Sequence, residues 1–456
     1  MRAALTLILL TVSLALPAHA QSSVGWRSDG TGVYPDAEPP VTWSADKNVV
    51  WKTPMPDWSN ASPVVVGDRI FVCAEPDALL CVGAADGRVL WQRHLKLSDT
   101  WTDEDRALAE AKEKETVALK KKHKWLDDEI NKAYAARKKD IKNQVLRKRF
   151  KDLQKEQREV QKQISRNARW ASAQTERTNG YTSSTPLSDG KHVWVLVGTG
   201  VAACFDLDGN RKWVQFIERP NDRYGHSASP VLAEGKLLVF VRKLKALDPL
   251  TGKLLWQVEK SRRGWGTPSV TRVGKTTVVV TAKGQVVRVA DGVVLAEGAG
   301  YLEYASPVVA GDIAYHLEGL SRATRLVPTD AGTVKRERAW TATLKKVRYY
   351  ASAVLVDGLL YVVNQRNTLY IVSAANGEIV KSEKLPLGRG ENYPSVTLAG
   401  KYLYVSSDNG TTLVMQPGKD GKVVATNKLE YGRATPVFQG KRMYVRTWKH
   451  LYCIGK

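Results

Sequence analysis

One short unit is repeated along the chain of 456 residues. In its first copy, residues 61–72 predict two strands joined by a turn at Gly67-Asp68, and residues 79–82 predict a third strand. Asp86-Gly87 then predicts a turn before a fourth strand that carries Trp91. A sheet of four short strands cannot bury its apolar faces alone, so successive copies must pack against one another.

Later copies begin where Ser or Thr precedes Pro, and they keep a regular spacing. The prolines at 186, 230, 268 and 307 are 44, 38 and 39 residues apart, and further copies begin near residues 352, 393 and 435. A pitch of about 40 residues with four strands per unit predicts an all-β, eight-bladed β-propeller. Seven blades are the alternative if a degenerate copy is misassigned.

The last copy stops after its third strand at the C-terminus. Residues 48–53 resemble the missing fourth strand, since Asn48-Val49-Val50-Trp51 matches Arg88-Val89-Leu90-Trp91. We therefore predict that the N-terminal strand closes the last blade, which removes the open sheet edges.

Some copies end in the pattern Asp-x-x-Thr-Gly-Lys-x-x-Trp, which is clearest from Asp248 to Trp256. This pattern resembles the quinoprotein (PQQ-like) repeat. Outside one insertion, the chain is similar to the eight-bladed PQQ-like propeller superfamily, which includes BamB-like outer-membrane assembly factors and quinoprotein alcohol dehydrogenases. The resemblance implies a fold but not an activity.

Residues 98–179 interrupt the repeat between the first and second blades. They contain no Gly or Pro and are rich in helix-forming residues. A heptad seam is formed by Leu146, Phe150, Leu153, Val160 and Ile164, with Gln157 in the remaining core position. We predict an antiparallel helical hairpin or coiled coil whose tip lies between Lys124 and Asp140. Residues 21–97 would then form the closing strand and blade 1, and residues 180–456 blades 2–8.

The chain is basic, with a formal net charge of +23, and the insertion carries basic clusters at residues 120–124, 137–139 and 147–151. These clusters favour contact with an anionic surface. The alternative is a solvated helical face with i,i+4 ion pairs to nearby Asp and Glu residues. We expect no nucleic-acid partner, because the clusters lack interleaved aromatic residues.

The N-terminus has the layout of a secretory signal peptide. Met1-Arg2 precedes an uncharged apolar run, and Ala18 and Ala20 occupy the small-residue positions of a cleavage site after Ala20. This predicts a periplasmic or secreted protein that has a signal peptide at residues 1–20 and no transmembrane span.

The loops that enter the innermost strands should meet at the mouth of the central channel. In every copy they carry an aromatic residue, and in most an arginine. The candidate ligand-binding residues are Trp58, Tyr181, Arg223, Tyr224, His226, Arg263, Trp265, Tyr304, Arg348, Tyr350, Arg389, Tyr393, Tyr431 and Arg433. Such a ring suits a planar anionic ligand or an acidic peptide. The alternative is that these aromatic residues only pack neighbouring blades together.

The family resemblance implies that a quinoprotein dehydrogenase would hold PQQ under a disulfide between adjacent cysteines, with calcium bound by Glu, Asn and Asp. The chain has no adjacent cysteines. Cys81, Cys204 and Cys453 occupy equivalent third-strand positions, and Cys73 could pair with Cys81 across a hairpin. The histidines show no metal-ligand spacing.

We therefore expect a protein-binding or assembly scaffold with no catalytic residues, metal or cofactor and with an envelope or secreted protein as its partner. A PQQ- and calcium-dependent oxidoreductase, or another ligand-binding propeller, is the alternative.

Overall fold

A computed structural model describes residues 23–167, 170, 173, 175–176 and 178–455. The predicted signal peptide lies outside these residues. Within them the strands form eight sheets. Two strands, β1 (Val33–Tyr34) and β2 (Val49–Pro54), precede the first repeat.

Each repeat supplies consecutive strands of one antiparallel sheet. The first two sheets contain β3 (Val64–Val66), β4 (Arg69–Ala74), β5 (Ala78–Gly83) and β6 (Val89–His94), then β7 (Leu187–Ser188), β8 (His192–Leu196), β9 (Val201–Asp206) and β10 (Arg211–Phe216). The third and fourth contain β11 (Val231–Ala233), β12 (Lys236–Phe240), β13 (Leu244–Leu247) and β14 (Leu254–Gln257), then β15 (Ser269–Val273), β16 (Thr276–Val280), β17 (Val286–Arg288) and β18 (Val294–Ala296).

The later repeats continue this order. The fifth and sixth sheets contain β19 (Val308–Ala310), β20 (Ile313–His316), β21 (Leu320–Pro328) and β22 (Val334–Thr343), then β23 (Val354–Val356), β24 (Leu359–Val363), β25 (Thr368–Ser373) and β26 (Ile379–Lys384). The last two contain β27 (Thr397–Ala399), β28 (Tyr402–Ser406), β29 (Thr411–Met415) and β30 (Val423–Lys428), then β31 (Val437–Gln439), β32 (Arg442–Arg446) and β33 (His450–Ile454).

The chain ends meet in the last sheet. Strand β2 pairs antiparallel with β33, Trp51 lying opposite Cys453. This confirms the predicted closure of the last blade by the N-terminal strand. Strand β1 adds a parallel fifth strand to the seventh sheet, beside β27.

A belt of side-chain hydroxyls joins the inner strands of neighbouring sheets. The backbone amide of one member donates to the hydroxyl oxygen of the next at 2.9 to 3.1 Å. This hydroxyl belt consists of Ser62, Thr185, Ser229, Thr267, Ser306, Ser352, Ser395 and Thr435. Between the fourth and fifth sheets, Ser269 Oγ donates to the Pro307 carbonyl at 2.6 Å. Since the Thr435 amide donates back to Ser62, the eight sheets form a closed ring, and the predicted propeller is confirmed.

Outer-strand tryptophans fasten each of five sheets to the next. Their Nε1 atoms donate to backbone carbonyls of the following sheet at 2.8 to 3.1 Å, the pairs being Trp51–Ala84, Trp91–Leu207, Trp213–Pro249, Trp256–Val289 and Trp340–Ala374. Each indole also lies against a left-handed glycine of that sheet's Asp-Gly, Thr-Gly or Asn-Gly turn. The repeat pattern therefore encodes contacts between sheets as well as turns.

The insertion forms two helices. A 3-10 helix at Leu97–Thr100 leads into α1 (Asp103–Lys139), which Thr102 and Asp105 cap reciprocally, and α2 (Gln144–Arg166) follows. The turn at residues 140–143 lies at and beyond the end of the interval predicted for the tip. The reason is that nothing in α1 breaks the helix before Asp140, whereas Asn143 caps α2. Leu126, Val160 and Ile164 are buried between the arms.

No helix in the described ranges is long and apolar enough to cross a membrane.

Candidate functional site

The segment before β1 crosses the ring. Val24 bridges to Ser188 in the second sheet, and Arg27 Nη2 donates to the carbonyls of Ala353 and Val396 at 2.8 and 2.9 Å. These two carbonyls immediately precede the inner strands of the sixth and seventh sheets, on the far side of a ring of eight. Residues 24–34 therefore block one end of the channel, and the other end is left as a pocket.

The loops before the innermost strands surround a cavity of about 480 Å³, a volume typical of ligand pockets. Seven of the sequence-predicted residues line it: Tyr224, Trp265, Tyr304, Arg348, Tyr350, Tyr393 and Arg433. Trp26 and seven members of the hydroxyl belt line it as well. We call this space the mouth cavity.

One wall of the mouth cavity is a continuous aromatic stack. The rings of Tyr350 and Tyr393 are parallel at 4.3 Å, and Tyr304 meets Tyr350 edge-on at 5.0 Å. The Arg433 guanidinium lies 3.9 Å from the Tyr393 ring centroid, and Arg348 Nη1 donates to the Tyr350 hydroxyl at 3.2 Å. Burial raises the pKa of Tyr393 far above its ordinary value, so this phenol stays protonated as a hydrogen-bond donor. We call Tyr304, Tyr350, Tyr393 and Arg433 the stacked wall.

Arg433 is held from behind by the protein. Its Nη1 donates to the Thr178 carbonyl at 2.8 Å, and its Nε lies 3.7 Å from an Asp408 carboxylate oxygen. Arg348 has an exposed side chain whose hydrogen bond to the Tyr350 hydroxyl is its contact with the wall. The two cations of the cavity therefore differ in how firmly they are held, Arg433 being the more strongly anchored.

Carboxylates line the mouth cavity too, which the sequence analysis missed. Asp222 pairs with Arg263 Nη1 at 3.1 Å, and Glu303 pairs with Lys283 Nζ at 2.5 Å. Glu391 also lines the cavity beside the stacked wall, and its negative charge contributes to raising the pKa of both Tyr393 and Arg348. The cavity thus carries both signs of charge, whereas the predicted ring consisted of aromatic and basic residues.

The other seven predicted residues do not line the cavity. Arg263 lies 4.3 Å from the Trp265 ring centroid, and Arg223 donates to the Tyr224 hydroxyl at 2.6 Å, so both support lining residues. Trp58 and Tyr431 both pack against Trp448, and their ring centroids lie 5.1 and 4.4 Å from that of Trp448.

The remaining three of these seven residues are Tyr181, His226 and Arg389. Tyr181 donates from its hydroxyl to the Ala173 carbonyl at 2.8 Å, and its amide donates to Glu75. His226 is buried, which lowers its pKa to about 4 and keeps it neutral. Arg389 is exposed on the loop before β27.

The described residues do not match the quinoprotein clamp. They contain no group of three or more His, Cys, Asp or Glu side chains placed to hold a metal ion. All four cysteines are free and buried. Cys73 faces Leu79 and Cys81 faces Phe71 across the β4–β5 hairpin, so the disulfide considered from the sequence is not formed.

A closed ring of four-stranded sheets fastened by Trp and Gly at the turns defines a PQQ-like β-propeller. A family model described as outer membrane protein assembly factor BamB matches residues 21–138 and 167–383. The match covers more than half of the chain, so the chain belongs to this family.

Among the similar solved structures, one with a TM-score above 0.5 shows the same fold at low sequence identity. A europium-containing methanol dehydrogenase is 12% identical, with a TM-score of 0.51 over 88% of this chain and 86% of that chain. BamB from Moraxella catarrhalis is 13% identical, with a TM-score of 0.46 over 59% and 82% of the two chains. The quinohemoprotein alcohol dehydrogenase of Comamonas testosteroni is 12% identical, with a TM-score of 0.48 over 91% and 78%. No curated protein sequence matches the chain.

Proposed function

We propose that the protein is an exported, non-enzymatic β-propeller that binds a segment of another envelope or secreted protein in its mouth cavity, and so acts as an assembly scaffold. The observation that carries this proposal is the stacked wall, which presents three tyrosines and an anchored arginine to a pocket closed at its far end. Tyr and Arg are the residue types enriched in the energetic centres of protein interfaces. Family membership supports a periplasmic or envelope location and a protein partner.

The mixed charge of the cavity favours a polar peptide segment over a purely anionic ligand. Arg348 and Arg433 offer donors for a carboxylate, while Glu391 offers an acceptor for a cationic or hydroxyl-bearing side chain. The hydroxyl belt adds polar groups at the base of the cavity, although several of its oxygens already accept bonds from backbone amides. A segment containing an aromatic residue next to charged residues would use all of these groups.

The second candidate is a PQQ-dependent oxidoreductase. The parallel rings of Tyr350 and Tyr393 and the two arginines favour it, because PQQ is a planar anion. Against it, Glu391 lines the same cavity without a salt bridge among the described residues and would repel the carboxylates of the cofactor.

Site-specific photo-crosslinking tests the scaffold proposal. A photoreactive residue replaces Tyr350 in the full chain expressed in its own cells, and the matched control replaces Leu255, which is exposed on outer strand β14. We expect a discrete envelope-protein adduct from position 350 that is absent from position 255. Arg348→Gln should weaken this adduct and Arg389→Gln should not, since both arginines are exposed on loops that precede inner strands but only Arg348 lines the cavity. Equal adducts from both positions would contradict the proposal.

Titration of the purified mature protein with PQQ and calcium tests the alternative. A saturable rise in melting temperature, with turnover of an alcohol or sugar in the presence of an artificial electron acceptor, would overturn the scaffold proposal. A rise without turnover that Arg348→Gln removes would identify a ligand-binding propeller and also contradict it. The scaffold proposal expects neither.

A further inference from the structure

The far end of the helical hairpin has a distinctive charge distribution. Residues 132–151, which we call the hairpin tip, contain nine Lys and Arg residues and a single acidic residue, Asp140. The rest of the insertion carries both signs of charge. The basic character of the insertion is therefore concentrated where its two arms meet.

Ion pairing is incomplete at the tip. Away from the tip, Lys114 pairs with Glu110, Lys122 with Glu156 and Lys162 with Glu159, at 2.6 to 2.7 Å. In the tip, Lys132 and Arg149 pair at 2.9 and 3.1 Å, both with Glu129. Seven tip cations have no carboxylate partner among the residues that the structure describes: Arg137, Lys138, Lys139, Lys142, Arg147, Lys148 and Lys151. The alternative of a fully ion-paired helical face therefore fails at the tip. Outside the tip it holds for Lys112, Lys114, Lys122 and Lys162, whereas Lys121, Lys124, Lys155 and Arg158 have no carboxylate within 4.0 Å among the described residues.

The same tip exposes aliphatic side chains. Ile141 in the turn is 62% exposed, and Val145 in the first turn of α2 is 76% exposed. About two helical turns below them, Tyr134 is 54% exposed and packs on Phe150 at 6.0 Å, while Arg137 lies 5.1 Å from the Phe150 ring centroid. Aliphatic residues are thus outermost, cations surround them and a tyrosine lies further down the arms.

This order corresponds to the layers of a lipid surface. Aliphatic side chains gain by burial among acyl chains, lysines and arginines pair with anionic headgroups, and tyrosine favours the membrane interface. A nucleic acid would use the cations but would leave Ile141 and Val145 in water. α1 has 37 residues and spans about 55 Å, which gives the tip a long reach.

We propose that the hairpin tip binds an anionic phospholipid surface, with Ile141 and Val145 inserted below the headgroups. This inference concerns a surface separate from the mouth cavity and does not depend on what the cavity binds. It would give the propeller a peripheral membrane attachment through a protein segment.

Vesicle flotation of the full mature chain tests the proposal. The probes are vesicles of phosphatidylcholine alone and of phosphatidylcholine with phosphatidylglycerol. We expect binding to the second kind only, weakened by added salt. Lys138→Gln with Lys142→Gln should reduce the partition coefficient about 25-fold, since each lysine near such a surface contributes about fivefold. Lys114→Gln with Lys162→Gln removes two ion-paired lysines and should change it little.

The apolar variants separate a lipid surface from other anionic partners. Ile141→Ser with Val145→Ser, which leaves the charge of the tip unchanged, should abolish flotation. Leu108→Ser with Val117→Ser should not, although these α1 side chains are also 51% and 48% exposed. Circular dichroism should show unchanged helix content, because all four positions are exposed.

Three results would overturn the proposal. The first is equal binding to both kinds of vesicle. The second is undiminished binding by the Ile141→Ser, Val145→Ser variant, which would identify a purely electrostatic contact without insertion. The third is an equal loss in the Leu108→Ser, Val117→Ser control, which would mean that hairpin stability controls binding.

Discussion

The contact between Trp213 and Gly252 allows the contribution of sheet-on-sheet packing to the free energy of unfolding to be measured. Gly252 has a φ of +70°, and a Cβ built on it would lie 2.8 Å from the Trp213 ring. Trp213 is nearly buried and donates from Nε1 to the Pro249 carbonyl at 2.8 Å. Gly252→Ala therefore forces the indole to move away from the turn against which it packs. Gly235 in the same sheet provides a matched control, since its φ is +66° and no atom would lie within 4 Å of its Cβ.

The two substitutions share one cost and differ in another. An alanine held in the left-handed region costs about 1–2 kcal/mol at either position. At Gly252 the added methyl also overpacks the indole seat, which costs about 1–3 kcal/mol more. We expect Gly235→Ala to lower the free energy of unfolding by the first amount alone and Gly252→Ala by about 2–5 kcal/mol in total.

Urea unfolding, followed by circular dichroism with the slope m compared between variants, measures the difference. The decisive measurement is a double-mutant cycle with Trp213→Ala. With the ring removed, the remaining close contact is with the flexible Gln215 side chain, whose Cγ would lie 3.0 Å from the new Cβ. Gly252→Ala should then cost about as much as Gly235→Ala, so the coupling energy should equal the excess of about 1–3 kcal/mol. Equal costs of the two glycine variants, or additivity in the cycle, would refute docking by tryptophan on glycine as a source of stability.

Three further predictions concern how the free energy of unfolding depends on pH and on the contact made by Arg27. Burial lowers the pKa values of His226 and His316 to about 4, so the unfolded state alone gains protons as pH falls from 6.5 to 4. Each histidine should therefore lower the free energy of unfolding by up to about 3 kcal/mol as the pH falls through this range. His316→Gln should reduce this pH dependence, as measured by urea titrations at several pH values. Burial opposes ionisation of Glu430, but bonds from His450 and two other donors lower its pKa to about 2, so Glu430→Gln should flatten the stability lost between pH 4.5 and 2. Arg27→Met should lower the free energy of unfolding by about 1–3 kcal/mol by leaving two buried carbonyls unpaired, as measured by the urea midpoint.

The repeat predicts so much of the fold because its residues act locally and between neighbours at once. The Asp-Gly type of turn sets the strand connection, and the tryptophan that follows it docks on the equivalent turn of the next sheet. Strand β5, in the middle of its sheet, is buried along its whole length, whereas the edge strand β2 alternates between half-buried and exposed positions, as central and outermost strands of packed sheets should. Periodicity therefore carries information about tertiary packing here.

The candidate site was less predictable because it combines residues with no common sequence signal. Tyr350, Tyr393 and Arg433 precede inner strands at equivalent positions, and their convergence follows from the repeat. Trp26 and Asp222 also line the cavity but hold no equivalent place in other copies. Arg389 occupies a matching loop position and still misses the cavity, because loop length and conformation decide where a side chain points.

The cavity is also coupled to closure of the ring. Strand β2 completes the last sheet, and residues 24–34 block the channel, so both ends of the chain must be in place before the pocket has a base. Contacts between residues that are hundreds of positions apart form late, because their loop-closure entropy is offset only when most of the ring exists. A partner that binds in the mouth cavity would therefore stabilise the closed ring by mass action. Variants that weaken closure, such as Arg27→Met, should consequently bind the partner more weakly to the extent that the open ring becomes populated, even though Arg27 does not line the cavity.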